Sequence, residues 1–355
     1  MEEARLIVAR WLESDRTGCL YIHGLNLREL PDNFPVDFNG KLDCRYNNLT
    51  SLSLPMATEV SCYHNQLTTL SLPMATKVYC YNNQLTTLYA PMATEVNCEN
   101  NQLTTLSLPM AISVHCRYNR LTNLSLPMAN VVYCPDNQLI TLSLPMVTTV
   151  CCWNNKLTTL SLPMATTVYC YNNQLIDLSL PMATYMECYN NQLTSLSLPM
   201  ATYAVCSWNQ LTTLSLPLAT VVYCQNNQLT TLSLPMATKV YCVNNQLTTL
   251  SLPMATIVHC HNNQLTTLSL PTATIVHCQN NQLTALSLPF VIDISCFNNP
   301  IEFRLATMIC VSFVRKEIIT AFKIGHKWVC YTRQSKQNSL IKSMIICKQL
   351  CKLIH

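Results

Sequence analysis

The chain has 355 residues, of which 49% are hydrophobic and only 11% charged, and its formal net charge is +4. That charge is unevenly placed: residues 1–300 carry 11 Lys and Arg against 15 Asp and Glu, and residues 301–355 carry 10 against 2. The long body is thereby excluded as a nucleic-acid or anionic-membrane surface, so no nucleic acid is expected as a partner and only the basic end suits weak contact with a membrane surface.

At the start, Met1-Glu2-Glu3 has the wrong charge for a secretory leader, and the apolar run Leu6-Ile7-Val8-Ala9 is too short for one. No run reaches the roughly 18 apolar residues of a membrane span. A cytoplasmic location is expected. Residues 2–14 read as a helix, with Leu6, Ile7, Trp11 and the stem of Arg10 on one side. Residues 1–17 would form a cap that shields the apolar end of whatever follows. Residues 18–40 read as an opening repeat containing Leu27-Arg28-Glu29-Leu30-Pro31-Asp32-Asn33-Phe34-Pro35.

Residues 41–300 are an array. Cysteine stands at Cys44 and at every eighteenth residue to Cys296. Three residues after each comes an asparagine, Asn47 to Asn299, and two after that a leucine, from Leu49 on, relaxing only to Ile301. One unit is Ala75-x-x-Val78-x-Cys80-x-x-Asn83-x-Leu85-x-x-Leu88. Val78 and Cys80 flank Tyr79, which predicts a short strand with one inward face. Coils of fixed length stack such strands in parallel, about 4.8 Å apart. Asn83 falls where the chain leaves the strand, and its amide can satisfy backbone groups of adjacent coils. Leu85 and Leu88 fill the coil, and Pro91 fixes φ on the return arm.

This frame resembles the leucine-rich repeat. The resemblance implies an α/β-type solenoid, mainly β, with a parallel sheet on its concave face. A short N-terminal helical cap (1–17) and the opening repeat (18–40) would precede the solenoid (41–300). A basic C-terminal cap or tail (301–355) would follow, with a basic, roughly amphipathic helix around Leu340–Lys348. The run from Leu27 to Pro35 resembles the opening repeat of bacterial leucine-rich-repeat effectors, whose own coils are longer and richer in Leu-Pro-x-Leu-Pro. That family includes proteins injected into host cells, some carrying a C-terminal ubiquitin-ligase domain with a Cys-x-Asp nucleophile. Here the Cys-x-Asp match is Cys134-Pro135-Asp136, and Cys134 belongs to the periodic core line, so the ligase part is expected to be absent. The resemblance implies a host protein as partner and delivery into a host cell without a cleaved leader.

The chain has 21 cysteines. Fifteen lie on one inward line as parallel neighbours rather than facing partners, which predicts free buried thiols in a reducing compartment. Cys151 falls on an outward slot beside Cys152; it is the candidate reactive thiol of the array, with a chance substitution as the favoured reading. No zinc-type cysteine spacing, phosphate loop or paired carboxylates occur, so neither enzyme chemistry nor a cofactor or metal is expected.

The variable slots around each strand carry the functional argument. Eleven of the 16 tyrosines fall in three columns there. Tyrosine and tryptophan bring contact area with a polar handle, as binding surfaces do. The candidate partner-binding residues are Tyr133, Trp153, Tyr169, Tyr171, Tyr185, Tyr189, Tyr203, Tyr223 and Tyr241. The competing reading is that these rings only pair across neighbouring strands. His259, His261 and His277 cluster on the same face, without an acidic partner in the frame, and are read as repeat drift. The opposite side carries Thr-Leu-Ser triplets such as Thr69-Leu70-Ser71, whose outward Thr and Ser ladders resemble ice-binding arrays. The favoured reading is a monomeric, non-enzymatic protein-interaction module. The alternatives are an ice-binding or structural solenoid, and a degenerate effector that has lost its ligase domain.

Overall fold

A computed structural model describes residues 1–301, together with the backbone of Thr320–Ile324 and Lys327–Tyr331. Contacts group the chain into two units, Met1–Gln192 and Leu193 onward. The expected helix near Leu340 lies outside the described residues.

The first unit opens with a helix, α1, Glu2–Glu13. Glu2 and Glu3 sit in its first turn and Arg10 in its last, each complementing the helix dipole. The inward face is set by Ala4 and Val8, both fully buried, whereas Leu6 is exposed. That corrects the expected place of Leu6, which lies almost a half-turn from the Ala4–Val8 line, whereas Ile7 and Trp11 are half-buried. Trp11 packs on Phe38 with ring centroids 5.2 Å apart, and Phe38 on Phe34 at 5.1 Å. Arg5 holds Asp32 through two nitrogens at 2.9 and 3.0 Å, so the helix is fastened to the Leu-Pro-Asp-Asn run.

After α1 come ten parallel strands of three residues each, in chain order from Cys19–Tyr21 to Tyr185–Glu187. The register is uniform: Val78 faces Val96, Val96 faces Val114, and Val150 faces Val168. The opening step is longer, since Leu20 pairs with Leu42 rather than with a residue 18 away. The second unit repeats the arrangement over six strands, Tyr203–Val205 to Asp293–Ser295. Each strand is followed by a residue in the left-handed region, for example Asn82 and Asn154, at φ +54 and +53. Asparagine tolerates that conformation better than most residues, which accounts for its frequency at this slot.

The asparagine one residue further on locks the coils together. Asn155 Nδ2 donates to the Cys134 carbonyl of the preceding coil at 3.1 Å and to Cys152 of its own coil at 3.1 Å. Its Oδ1 accepts the Leu139 amide at 3.0 Å. The same set recurs from Asn47 through the first unit and from Asn227 to Asn281 in the second. Inside, the cysteine, valine, alanine and leucine lines are sealed from solvent, with the thiols from Cys44 to Cys278 at 0% exposure. Among the described residues the cysteines are free.

The return side behaves differently. Its Thr-Leu-Ser strands pair two by two: Thr69–Ser71 with Thr87–Tyr89, Thr105–Ser107 with Asn123–Ser125, Thr141–Ser143 with Thr159–Ser161. Within each pair one leucine is buried and the other half-buried, as with Leu106 and Leu124. The Thr and Ser side chains are exposed as expected, but their ladder is interrupted after every second coil.

Candidate functional site

Alternation along a three-residue strand sends its middle side chain inward and its flanks outward. The nine candidate residues therefore all reach the strand face. None is fully exposed and none is buried; each is half-buried. The reason is the coil spacing. Rings in successive coils stand one strand apart and cover one another.

In the first unit the best-ordered group is a stack. Trp153 and Tyr171 lie 5.4 Å apart with planes within 7°, and Tyr171 and Tyr189 lie 4.4 Å apart within 8°. The guanidinium of Arg117 sits 4.8 Å from the Trp153 ring and 4.2 Å from that of Tyr118. Arg117 occupies the same column two coils earlier, and Pro135 between them is small enough to let it reach across. Its Nε donates to Asp136 Oδ2 at 2.9 Å and its Nη2 to the Tyr118 hydroxyl at 2.7 Å. The result is a four-membered stack, Arg117–Trp153–Tyr171–Tyr189. Burial pushes the Tyr171 hydroxyl up to about 12, with Tyr189 adding to it. Both phenols remain protonated donors at neutral pH. Since the inner ring faces are occupied by neighbours, the stack offers a partner mainly ring edges and hydroxyls.

Tyr169 lies beside Tyr185 at 5.4 Å, and the Tyr185 hydroxyl donates to Glu187 at 2.7 Å. Tyr133 tilts against His115 at 4.5 Å. A second cluster joins Tyr63 and Tyr81, stacked at 4.1 Å, to Arg45, which hydrogen-bonds the Tyr63 hydroxyl and pairs with Asp43 at 3.2 Å.

The second unit carries its own column. Tyr203 approaches Tyr223 at 6.2 Å; Tyr223 and Tyr241 stack at 4.5 Å within 3°. Tyr241 continues onto His259 at 4.8 Å, and His259 onto His277 at 4.3 Å. Here the expectation of no nearby acid is corrected. Asp293 enters from the next coil and stands 3.8 Å from His277 Nε2. Even so, no group of three or more metal-ligating side chains is placed to hold an ion among the described residues.

Burial lowers the His259 pKa from 6.5 to about 4, reinforced by His277 and His261. The unfolded chain therefore binds more protons than the folded one between pH 6.5 and 4, and stability falls as pH falls through that window. After discounting for the ring's half exposure, the expected loss is about 1 kcal/mol. Urea midpoints measured at pH 7 and 4.5 should show it, and His259→Gln should flatten that part of the profile.

Cys151 does not fill the reactive role. It is only 9% exposed, and burial pushes its thiol up to about 11, with Glu187 adding to the effect. Rings at Tyr133 and Tyr169 in the flanking coils pair in register with it and cover it. Sequence reasoning also missed Arg117 and the exposed aromatics Tyr46, Tyr118 and Trp208. The last three occupy the positive-φ slot, at φ +53, +52 and +56, where asparagine is the rule. A break in an asparagine column was the available signal.

No protein-family model matches the chain, and no curated protein sequence does. Solved structures do. The chain is similar to YopM from Yersinia enterocolitica WA-314, at 20% identity over 84% of this chain and 82% of that one, with a TM-score of 0.52. It is also similar to YopM, a leucine-rich effector protein from Yersinia pestis, at 24% identity over 84% and 88%, with a TM-score of 0.56. The fold is a leucine-rich-repeat-type solenoid. Likeness at these identities speaks to the fold alone.

Proposed function

We propose that this chain is a non-enzymatic protein-binding solenoid that holds its partner on the strand face, with the Arg117–Trp153–Tyr171–Tyr189 stack as the principal contact in the first unit. The stack carries the reading. Four large side chains are fixed in one geometry before any partner arrives, so little rotamer entropy remains to be lost on binding. Tryptophan, tyrosine and arginine are also the residues that most often dominate interface energetics. Tyr203, with the column of Tyr223 and Tyr241 beside it, supplies a similar surface in the second unit. The resemblance of the run from Leu27 to Pro35 to the opening repeat of bacterial leucine-rich-repeat effectors favours a host protein as partner and action inside a host cell. The ice-binding alternative is weakened by the return side, whose Thr and Ser ladder is interrupted after every second coil.

The test is affinity capture from host-cell lysate with the full chain, followed by direct titration of the captured protein. Trp153→Ala combined with Tyr171→Ala should weaken binding at least ~30-fold, about 2 kcal/mol, while the far-UV circular dichroism spectrum stays unchanged. Undiminished binding by the folded double variant would remove the strand face from the proposal.

A further inference from the structure

Eleven of the 15 methionines occupy a single register position. It is the third corner of the turn Leu72-Pro73-Met74-Ala75, closed by the Ala75 amide donating to the Leu72 carbonyl at 3.3 Å. In the first unit this position is methionine in eight successive coils, every 18 residues from Met56 to Met182. All are between 46% and 54% exposed. Two residues further along, an unbroken line of backbone bonds joins the coils, from Thr76 N to Thr58 O at 2.8 Å through to Thr184 N to Thr166 O at 2.9 Å. The methionines are thus held in a row at one strand spacing. Met200, Met236 and Met254 hold the same place in the second unit.

Half-exposed side chains are not there for core packing. Leu218 takes the same slot at 44% exposure, so an apolar side chain without sulfur fits equally well. What methionine adds is a thioether in contact with water. The thiols lie on the other side of this boundary, at 0% exposure from Cys44 to Cys278. Among the described residues, the periodic methionines stand outside and the periodic thiols from Cys44 to Cys278 within.

We propose that the methionine row is a sulfoxidation surface, which takes up oxidants such as hypochlorous acid or peroxide before they reach the thiol core. In the step, the thioether sulfur gives two electrons and gains the oxygen of HOCl. The O–Cl bond breaks, and chloride and a proton leave. With hydrogen peroxide the O–O bond breaks and water leaves. The product is methionine sulfoxide, which sulfoxide reductases return to the thioether. Because each side chain is already in water, the added oxygen needs no room in the core and the coils stay stacked. For free side chains the thiol is the readier target; the sealed core inverts that order. The row lies at the turn and not on the strand face, so the proposal is independent of the partner-binding reading.

Met186 is an internal control, because it replaces the core valine of its strand and is 0% exposed. The experiment titrates the native full chain with hypochlorous acid, then maps peptides by mass spectrometry and alkylates the remaining thiols after denaturation. The expected result is a gain of about 16 Da at each row methionine, with Met186 and the buried ladder thiols from Cys44 to Cys278 unchanged at the same dose. A variant carrying Met92→Leu, Met110→Leu and Met128→Leu should lose thiols at a lower dose than the parent. Oxidation of Met186 or the ladder thiols in step with the row would overturn the proposal. So would an unchanged onset of thiol loss in the leucine variant.

Discussion

Replacing Asn155 by Ala should cost about 3 kcal/mol of stability. The substitution leaves the buried Leu139 amide without its acceptor and takes one of two asparagine donors from each of the Cys134 and Cys152 carbonyls, which keep Asn137 and Asn173. Each unsatisfied buried group costs roughly 1–3 kcal/mol, and water cannot enter the stacked interior to replace the amide. Asn155 Nδ2 also reaches the Trp153 carbonyl at 3.3 Å, so the loss would loosen the backbone that carries the aromatic stack. The neighbouring Asn154 is the contrast. It is exposed, its amide meets Asp136 at 2.9 Å, and its φ of +53 suits glycine. Asn154→Gly is expected to cost less than about 1 kcal/mol. Urea unfolding of the two variants side by side would separate them, and equal costs would show that the inner asparagines are not the clamps.

The second large effect concerns the thiols. Burial pushes Cys62, Cys98, Cys206 and Cys242 up to about 12, from an ordinary value of 9.0. At neutral pH that leaves on the order of a thousand-fold less thiolate, and the thiolate is the species that reacts. Native-state alkylation by iodoacetamide should therefore run at least ~1,000-fold slower at these positions than in the denatured chain. Among the described thiols, the partly exposed Cys19 and Cys296 should label first. Rapid labelling of the whole ladder would mean that the coils are not closed. The measurement also bears on function, because a row of open thiols could not coexist with a rigid strand face above it.

Much of this was legible in the letters. A period of 18 that keeps cysteine, asparagine and leucine in phase leaves few folds, because each feature answers a separate physical demand. The inward thiol fills a narrow coil, the asparagine satisfies backbone groups at the turn, and the leucine closes the core. The clamp role of Asn155 and its equivalents follows from that frame and is seen in their hydrogen bonds. The site was less readable. Tyrosine columns mark a face, but period alone does not say whether rings stand free or cover one another. At a spacing of one strand they cover one another, which leaves Tyr171 half-buried between Trp153 and Tyr189. Arg117 escaped notice because its partner lies two coils away, across Pro135. Cys151 carries a related lesson: an outward slot is solvent-exposed only if the flanking rings leave it so. In α1, hydrophobicity alone points Leu6 inward, although Ala4 and Val8 are the residues that lie buried against the array.

The interlocking bonds have one further consequence. Backbone contacts join residues to their counterparts 18 positions away, as Thr94 joins Thr76 at 2.8 Å and Thr122 joins Thr104 at 2.9 Å. Excising a stretch of 18 within one unit would rejoin chemically equivalent partners, whereas excising 17 or 19 would misalign every slot downstream. Genetic exchange between copies can therefore lengthen or shorten such a protein in whole steps without inventing a new architecture. Each added step carries three fresh outward positions. Recognition can then evolve by reshuffling finished pieces, at a pace set by recombination as much as by point substitution.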